Sequence, residues 1–405
     1  MSFQQGLSGL NGAAKNLDVI GNNVANSNTA GFKQGVAVFG DVFAASLGGG
    51  GGTQVGIGTQ ISSVNQQFTQ GNISLSNNPL DIAINGQGFY RMSDNGAINY
   101  TRNGGFSVDR NGYIVGGSGQ NLTGFQAVNG AIVPGVLVNL QLSSADLLPK
   151  ATSIAGIGAN LASTDPILPT AGFVATKPQT YNFSTASTYY DSLGQAHTVT
   201  LYFNKTAANV WDSNVYVDGV AANGAGVSTL TFDTQGVLST TTPPTNLVKT
   251  AVLTNGAAPL SVTMDYSAMT QFGSGFGVNS LSQDGYASGQ LSGYNIGADG
   301  IILGRYTNGQ SQKLGQVALS NFTNPQGLTP LGDSMWAESS TSGIPLTGAP
   351  GSASLGAVQS GAKEDSNVDL TAELVNMITA QRVYQANAQS IKAQDAVLQT
   401  LVNLK

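Results

Sequence analysis

No cysteine occurs anywhere in the 405 residues. That removes disulfides, thiolate metal sites and cysteine nucleophiles from consideration. Charge is scarce too: Asp, Glu, Lys and Arg make up 9% of the chain, against about 25% in ordinary soluble domains. The net charge is −6 and the 15 Lys and Arg are dispersed, so neither a basic groove for nucleic acid nor an attraction to anionic lipid is expected. No apolar run is long enough to cross a membrane as a helix. The opening MSFQQGLSGLNGAAKNL has no basic stretch followed by an apolar core, so it does not read as a Sec signal peptide.

Catalytic and metal-binding patterns are equally thin. The chain has one histidine, His197. It stands in an alternating strand pattern without a second His or a Cys nearby, and is read as a solvated strand residue. Asp165, Asp191, Asp212 and Asp218 are scattered on turn-like stretches without the spacing of a cation loop. The Gly-rich stretches at 48–52 and 273–277 lack the order of phosphate loops and do not join a strand to a helix. The expectation is a protein with no catalytic residue, metal or cofactor.

Glycine and turn-forming amides are what the chain has in abundance. Gly accounts for 54 residues, about twice the usual share of about 7%. With 40% hydrophobic residues, such a composition fits many short strands rather than disorder. Between the two ends Asn-Gly occurs at 85, 95, 103, 111, 129, 223, 255 and 308, and Asp-Gly at 218, 284 and 299. These dipeptides are strong hairpin signals because both residues tolerate positive φ. The run from 81 to 117 therefore reads as a meander of consecutive short strands. Alternation returns at 197–203, 210–219 and 227–238. The Pro-bearing stretch 165–178 and the glycines at 273–277 look like boundaries, and 48–52 like a flexible loop.

The two ends follow a different period. Phe3, Leu7, Leu10, Ala14, Leu17 and Val24 fall on alternating three- and four-residue steps, with Ile20 beside the skipped position Gly21. At the other end the spacing gives Leu370, Leu374, Met377, Gln381, Tyr384, Ala388, Ile391, Asp395, Leu398 and Val402. This is a coiled-coil-like seam, and Ser366 with Asp369 resembles a capping box ahead of it. Gln381 and Asp395 interrupt the stripe. Either they lie on its wet side, or they fix register as buried polar residues do in coiled coils.

The fold class expected is mainly β with α-helical termini. Residues 1–30 and 365–405 would form a helical inner domain and 31–70 an extended connector. Residues 71–148 and 277–364 would form a discontinuous β domain, with 149–276 inserted in it as a second, outer β domain.

Several long motifs stand in a familiar order. SGLNGAAKNLDVIGNNVANSNTAGFK at 8–33 resembles the N-terminal signature of the bacterial flagellar rod–hook axial family. Its turn residues here are Asn22, Asn23, Asn26, Thr29, Gly31 and Phe32. PLDIAINGQGFY at 79–90 and YTRNGGFSVDRNG at 100–112 resemble that family's shared β core, and 364–404 its C-terminal helix. Ala30 departs from the pattern, standing where the family often has Pro. Some 130 β-rich residues in the middle resemble the hook branch rather than the shorter rod proteins.

The resemblance implies a structural subunit that self-assembles as a helical homopolymer, a hollow, bendable tube. Its partners would be a distal rod protein, a hook cap protein, a hook–filament junction protein and the flagellar type III export apparatus. A distal rod or junction protein of the family is the alternative. Outside the family, a secreted β-rich adhesin has the same composition.

Overall fold

The computed structural model describes residues 2–42, 56–143, 145–224, 227–242 and 247–403. The glycines at 48–52 and the side chain of Val402 lie outside them. Two helices bracket a β-rich middle: α1 (Ser2–Ala25) and α2 (Leu370–Asn403). Neither contains proline, and α2 is rich in Ala, Gln and Leu, all good helix formers. The chain divides into two compact units. The first takes the chain up to 143, then 293–305, then from 311 on. The second takes 144–292 and 306–310.

In the first unit, β1 (Gly35–Val42) and β2 (Gly58–Gln66) form an antiparallel ribbon. A larger sheet runs from Ser311–Val317 through Asn121–Val128, Phe89–Asp94 and Ala97–Thr101 to Met335–Ala337. Its core gathers Ile82, Ile84, Tyr90, Met92, Ile114, Leu122, Val317 and Leu319. A second cluster of Phe89, Tyr100, Phe322 and Trp336 meets in edge-on aromatic pairs.

The run from 81 to 117 is not the simple meander expected. Ile82–Asn85 pairs with Ala357–Ser360, far along the chain, and not with the strand that follows it. Asn85-Gly86 is therefore no hairpin turn. The Arg102 guanidinium instead holds the carbonyls of Gly86 and Gly88 at 3.0 and 2.5 Å.

The turns separate into two kinds. At Asn95-Gly96, Asn129-Gly130 and Asp218-Gly219 both residues have positive φ, the two-residue hairpin expected of such pairs. At 109–113, 191–195 and 233–237 a tight turn ends on a single left-handed glycine. The amides of Gly112, Gly194 and Gly236 donate back to the aspartate carbonyls at 3.0–3.1 Å. The same aspartate then accepts two further amides on Oδ1. This Asp-x-x-Gly loop is the three-residue hairpin with a glycine bulge, and Asn-Gly counting finds it only at Asn111-Gly112.

The second unit is an antiparallel meander of Phe183–Tyr190, Ala196–Ala207, Val210–Val217, Ser228–Phe232 and Leu238–Thr242. It shares a core with a sheet centred on Ile154–Ala162. That central strand is buried along nearly its whole length, as a strand covered on both faces must be. The inserted segment was expected at 149–276, but the unit reaches further. Gly277–Gln283 pairs antiparallel along Ile154–Ala162, from Ala155↔Gln283 to Asn160↔Gly277. A boundary drawn at the glycines of 273–277 cuts off a strand.

His197 also departs from expectation. It is 8% exposed and shares the inward face of its strand with Val199, Leu201 and Phe203.

Candidate assembly site

The helices α1 and α2 pack against each other, with most of their large apolar side chains outside the contact. On α1 the covered face is Gly6, Gly12, Ala13, Ile20 and Asn23, with Gly9 and Asn16 half-buried. On α2 it is Glu373 and Ala380, with Met377, Asn387, Ala388, Ile391 and Gln394 half-buried. A Cβ on Gly6 would stand 3.0 Å from Ile391 Cγ1, and one on Gly9 would stand 2.9 Å from the Asn387 amide. Glycine at these positions lets the axes come close. Gly12 faces the ribbon in the same way, where a Cβ would stand 3.4 Å from Thr59 Cγ2 and 3.5 Å from the Phe39 ring. A groove of about 520 Å³ runs between the two helices and the ribbon.

The expected stripes are thereby placed mostly outside this contact. On α1, Phe3 and Leu7 are exposed, Leu10, Ala14, Leu17 and Val24 are half-buried, and only Ile20 is covered. On α2, Met377, Ala388 and Ile391 turn toward the contact, while Leu370, Leu374, Tyr384 and Leu398 stay exposed. Val375, Ile378, Val383 and Val397 are exposed beside them. Gln381 and Asp395 are exposed, and Asp395 accepts an intrahelical bond from Gln399 at 3.1 Å. The cap also differs from expectation. Asp369 itself caps α2, its Oδ1 accepting the amides of Thr371 and Ala372 at 2.9 and 3.1 Å, whereas Ser366 bonds only to the amide of Val368.

A polar clasp joins the end of α1, the start of β1 and the first turn of α2. Asn23, 2% exposed, donates to Glu373 at 3.2 Å and to the Gly35 carbonyl at 2.8 Å, and accepts the Gly35 amide at 2.9 Å. Gln34 donates its side chain to Glu373 at 2.8 Å and its amide to Asn367 at 2.8 Å. After α1 the chain turns at the signature motif and enters β1. Asn26 bonds back to the Asn22 carbonyl at 3.0 Å, Thr29 donates to Asn26 at 3.1 Å, and the Phe32 amide donates to the Thr29 carbonyl at 3.2 Å. Gly31 has φ +69, and its amide donates to the Glu364 carbonyl at 2.8 Å.

Below the clasp lies a buried ionic triad. Glu364 receives Lys33 Nζ at 2.7 Å, Arg102 Nε at 2.9 Å and the Gly71 amide at 2.9 Å, and none of its side chain is exposed. Burial drives the Lys33 ammonium pKa down, and its bond and attraction to Glu364 only partly restore it. The triad ties the signature turn, the shared β core and the approach to α2 to one carboxylate. Hydrophobic periodicity carries no trace of it. Lys33, Arg102 and Glu364 each share their motif with other charged residues, so no local pattern singled them out.

Comparison with known proteins adds the following. Residues 3–33 match the family described as flagella basal body rod protein, and 83–153 the flagellar hook protein FlgE/F/G D1 domain. Residues 160–286 match the flagellar basal body protein FlaE D2 domain, and 359–404 the flagellar basal body rod FlgEFG protein C-terminal family. The flagellar hook protein FlgE of Escherichia coli (strain K12) is 41% identical over 413 residues, with each chain covered completely. That of Salmonella typhimurium is 41% identical over 417 residues, again covering both chains. That of Rhizobium meliloti is 33% identical over all of this chain and 98% of its own. The crystal structure of Helicobacter pylori FlgE2 shares the fold, with a TM-score of 0.54 and 14% identity over 71% of this chain and 99% of that one. Related along its entire length to these proteins, with its four segments matched in order, the chain belongs to the flagellar hook protein FlgE family.

Proposed function

We propose that this hook subunit polymerises through its paired terminal helices into a hollow tube that bends while it turns. The tube would pass torque from the rod to the filament as a universal joint. The observation that carries the reading is the apolar surface left on the helix pair. Ten large apolar side chains there, from Phe3 and Leu7 to Val397 and Leu398, are 38–58% exposed. Completing their burial gives on the order of 1 kcal/mol each, or about 10 kcal/mol per subunit. A single copy cannot gain this, and neighbours in a helical array can. The same surplus makes the helices marginal in the free subunit, so their folding is completed by assembly.

In this reading the helices line the tube, and the second unit offers polar, low-charge surfaces suited to sliding contacts. A distal rod protein seats the base, a hook cap protein guards the growing end and a junction protein receives the filament. The flagellar type III export apparatus delivers the chain to the cell exterior. Gln381 and Asp395 stay outside the intrachain contact and would set register between subunits.

Purified subunits seeded with short hook fragments and viewed by electron microscopy test this. Tubes of one diameter are expected from the full chain and none from Leu374→Ser/Ile378→Ser. Tube growth by that variant would remove the exposed stripe from the interface.

A further inference from the structure

Both ring nitrogens of His197 face carboxylates. Nδ1 lies 2.6 Å from Asp218 Oδ2, and Nε2 lies 3.2 Å from Asp191 Oδ2. A neutral imidazole carries one N–H, so it would leave a lone pair against one of the two oxygens. Only the imidazolium donates to both. The two nitrogens point to opposite partners, so the three groups do not converge on a point where a metal could sit.

The carboxylates hold turns from three parts of the second unit. Asp191 is fully buried and also accepts the amides of Leu193 and Gln195 at 2.9 and 2.8 Å, closing the 191–195 loop. Asn255, from a distant loop, donates to its other oxygen at 2.5 Å and to Gln195 at 2.8 Å. Asp218, on its positive-φ turn, accepts the Thr198 amide at 2.9 Å. The 191–195 loop lies close against two further segments. A Cβ on Gly194 would stand 2.8 Å from Pro149 Cβ and 3.2 Å from the Ser288 amide nitrogen. Those segments, where the chain passes into and out of this unit, are bridged to each other at Leu147↔Gly289 and Lys150↔Tyr286.

We propose that His197 is a proton-operated latch. As imidazolium it clamps the 191–195 loop, and with it the bridged segments at 147–150 and 286–289, to the turn at Asp218. Losing the proton releases one side of the clamp. The charged groups facing the ring are Asp191 and Asp218, and the neighbouring Asn255 and Gln195 are neutral.

Electrostatics agree with the geometry. Burial alone would lower the imidazole's proton affinity, but its hydrogen bonds to Asp218 and Asp191 outweigh that and raise its pKa. Both aspartates move the other way. Burial would raise Asp191, yet bonds from Asn255, Gln195, His197 and Leu193 bring it to about 2, and His197 and Thr198 lower Asp218. The His197 contribution is therefore complete below the unfolded value of about 6.5 and fades as pH rises through the higher folded value. The aspartate contribution is present above the ordinary carboxylate range and fades as pH falls through the lowered folded values. The latch holds between these limits. With one histidine and no cysteine in the chain, no other side chain has an ordinary pKa near neutrality.

A single histidine also gives a single imidazole Cε1–H resonance in the full-length protein, which reports the titration directly. The expected midpoint lies above about 6.5. Asp218→Asn keeps an acceptor for Thr198 and a residue that tolerates positive φ, and it should lower the proton affinity about tenfold. Protection of the Leu193 and Gln195 amides, corrected for intrinsic exchange, should fall about tenfold between pH about 6 and about 9. It should stay flat in His197→Gln. A midpoint at or below about 6.5, or one unmoved by Asp218→Asn, overturns the latch. So does exchange at Leu193 and Gln195 that ignores pH in the unsubstituted chain.

Discussion

Gly31 stands under two constraints that no residue with a side chain meets. Its φ is +69, and a Cβ there would stand 2.5 Å from the Asn103 backbone nitrogen. Gly31→Ala should therefore cost well over the roughly 1 kcal/mol of the left-handed conformation alone, on the order of 3 kcal/mol. Denaturant unfolding of the monomer measures this, and a loss below about 0.5 kcal/mol would show that the backbone yields. Glu364 is the other residue on which much depends. Glu364→Gln leaves Lys33 and Arg102 buried without their counter-charge, and a loss of about 3–5 kcal/mol is expected. If Glu364→Gln unfolds at the same denaturant concentration as the unsubstituted chain, the triad contributes no stability. Single residues are also where sequence reading was uneven. His197 was taken as solvated, although its parity with Val199, Leu201 and Phe203 already put it on the inward face. Glu364 gave no such cue, because its two partners lie 331 and 262 residues away in sequence.

For the helices, periodicity located both elements and failed to say which face meets which. A stripe of large apolar side chains marks a face that will be covered, but not by what. In the subunit the close contact falls to Gly6, Gly9 and Ala13 against Ala380, Asn387 and Ile391, because small residues let backbones approach. Most of the large ones remain outside. Two outcomes follow for α2. Asp369→Ala removes the acceptor for two helix amides, which should cost about 1 kcal/mol. It should lower the far-ultraviolet helix signal of the monomer more than that of the polymer, where neighbours hold the helix. Removing 1–30 or 366–405 should leave a soluble β-rich monomer that seeds no tube. A free subunit already showing full helix by circular dichroism would contradict folding completed on assembly.

At the scale of the whole molecule, the two units make a sharper claim than the sequence-based boundaries. The fragment 149–276 omits Gly277–Gln283, the antiparallel partner of the buried strand Ile154–Ala162. The fragment 144–292 contains it. The longer fragment should unfold in one cooperative thermal transition, and the shorter should melt lower or not cooperatively. Equal transitions would mean that the strand adds nothing to this core. Replacing the unit with a short Gly-Ser linker should preserve tube formation and change tube shape, if its contacts select curvature. Loss of all assembly would instead tie it to the folding of the first unit.

Some of this was determined by the sequence alone. Scarce charge, abundant glycine and the absence of cysteine defined a β-rich chain without thiol chemistry. Local periodicity set the helical ends, and contiguous motifs carried the family, since all of these act over a few residues. The tertiary structure decided the rest. It paired Ile82–Asn85 with Ala357–Ser360, assembled Lys33, Arg102 and Glu364 into one buried site, and put His197 between two aspartates. Each of these joins residues that are distant in sequence, or turns on which of two faces is covered. Such choices depend on the total burial of the folded chain, and no short window of residues contains it.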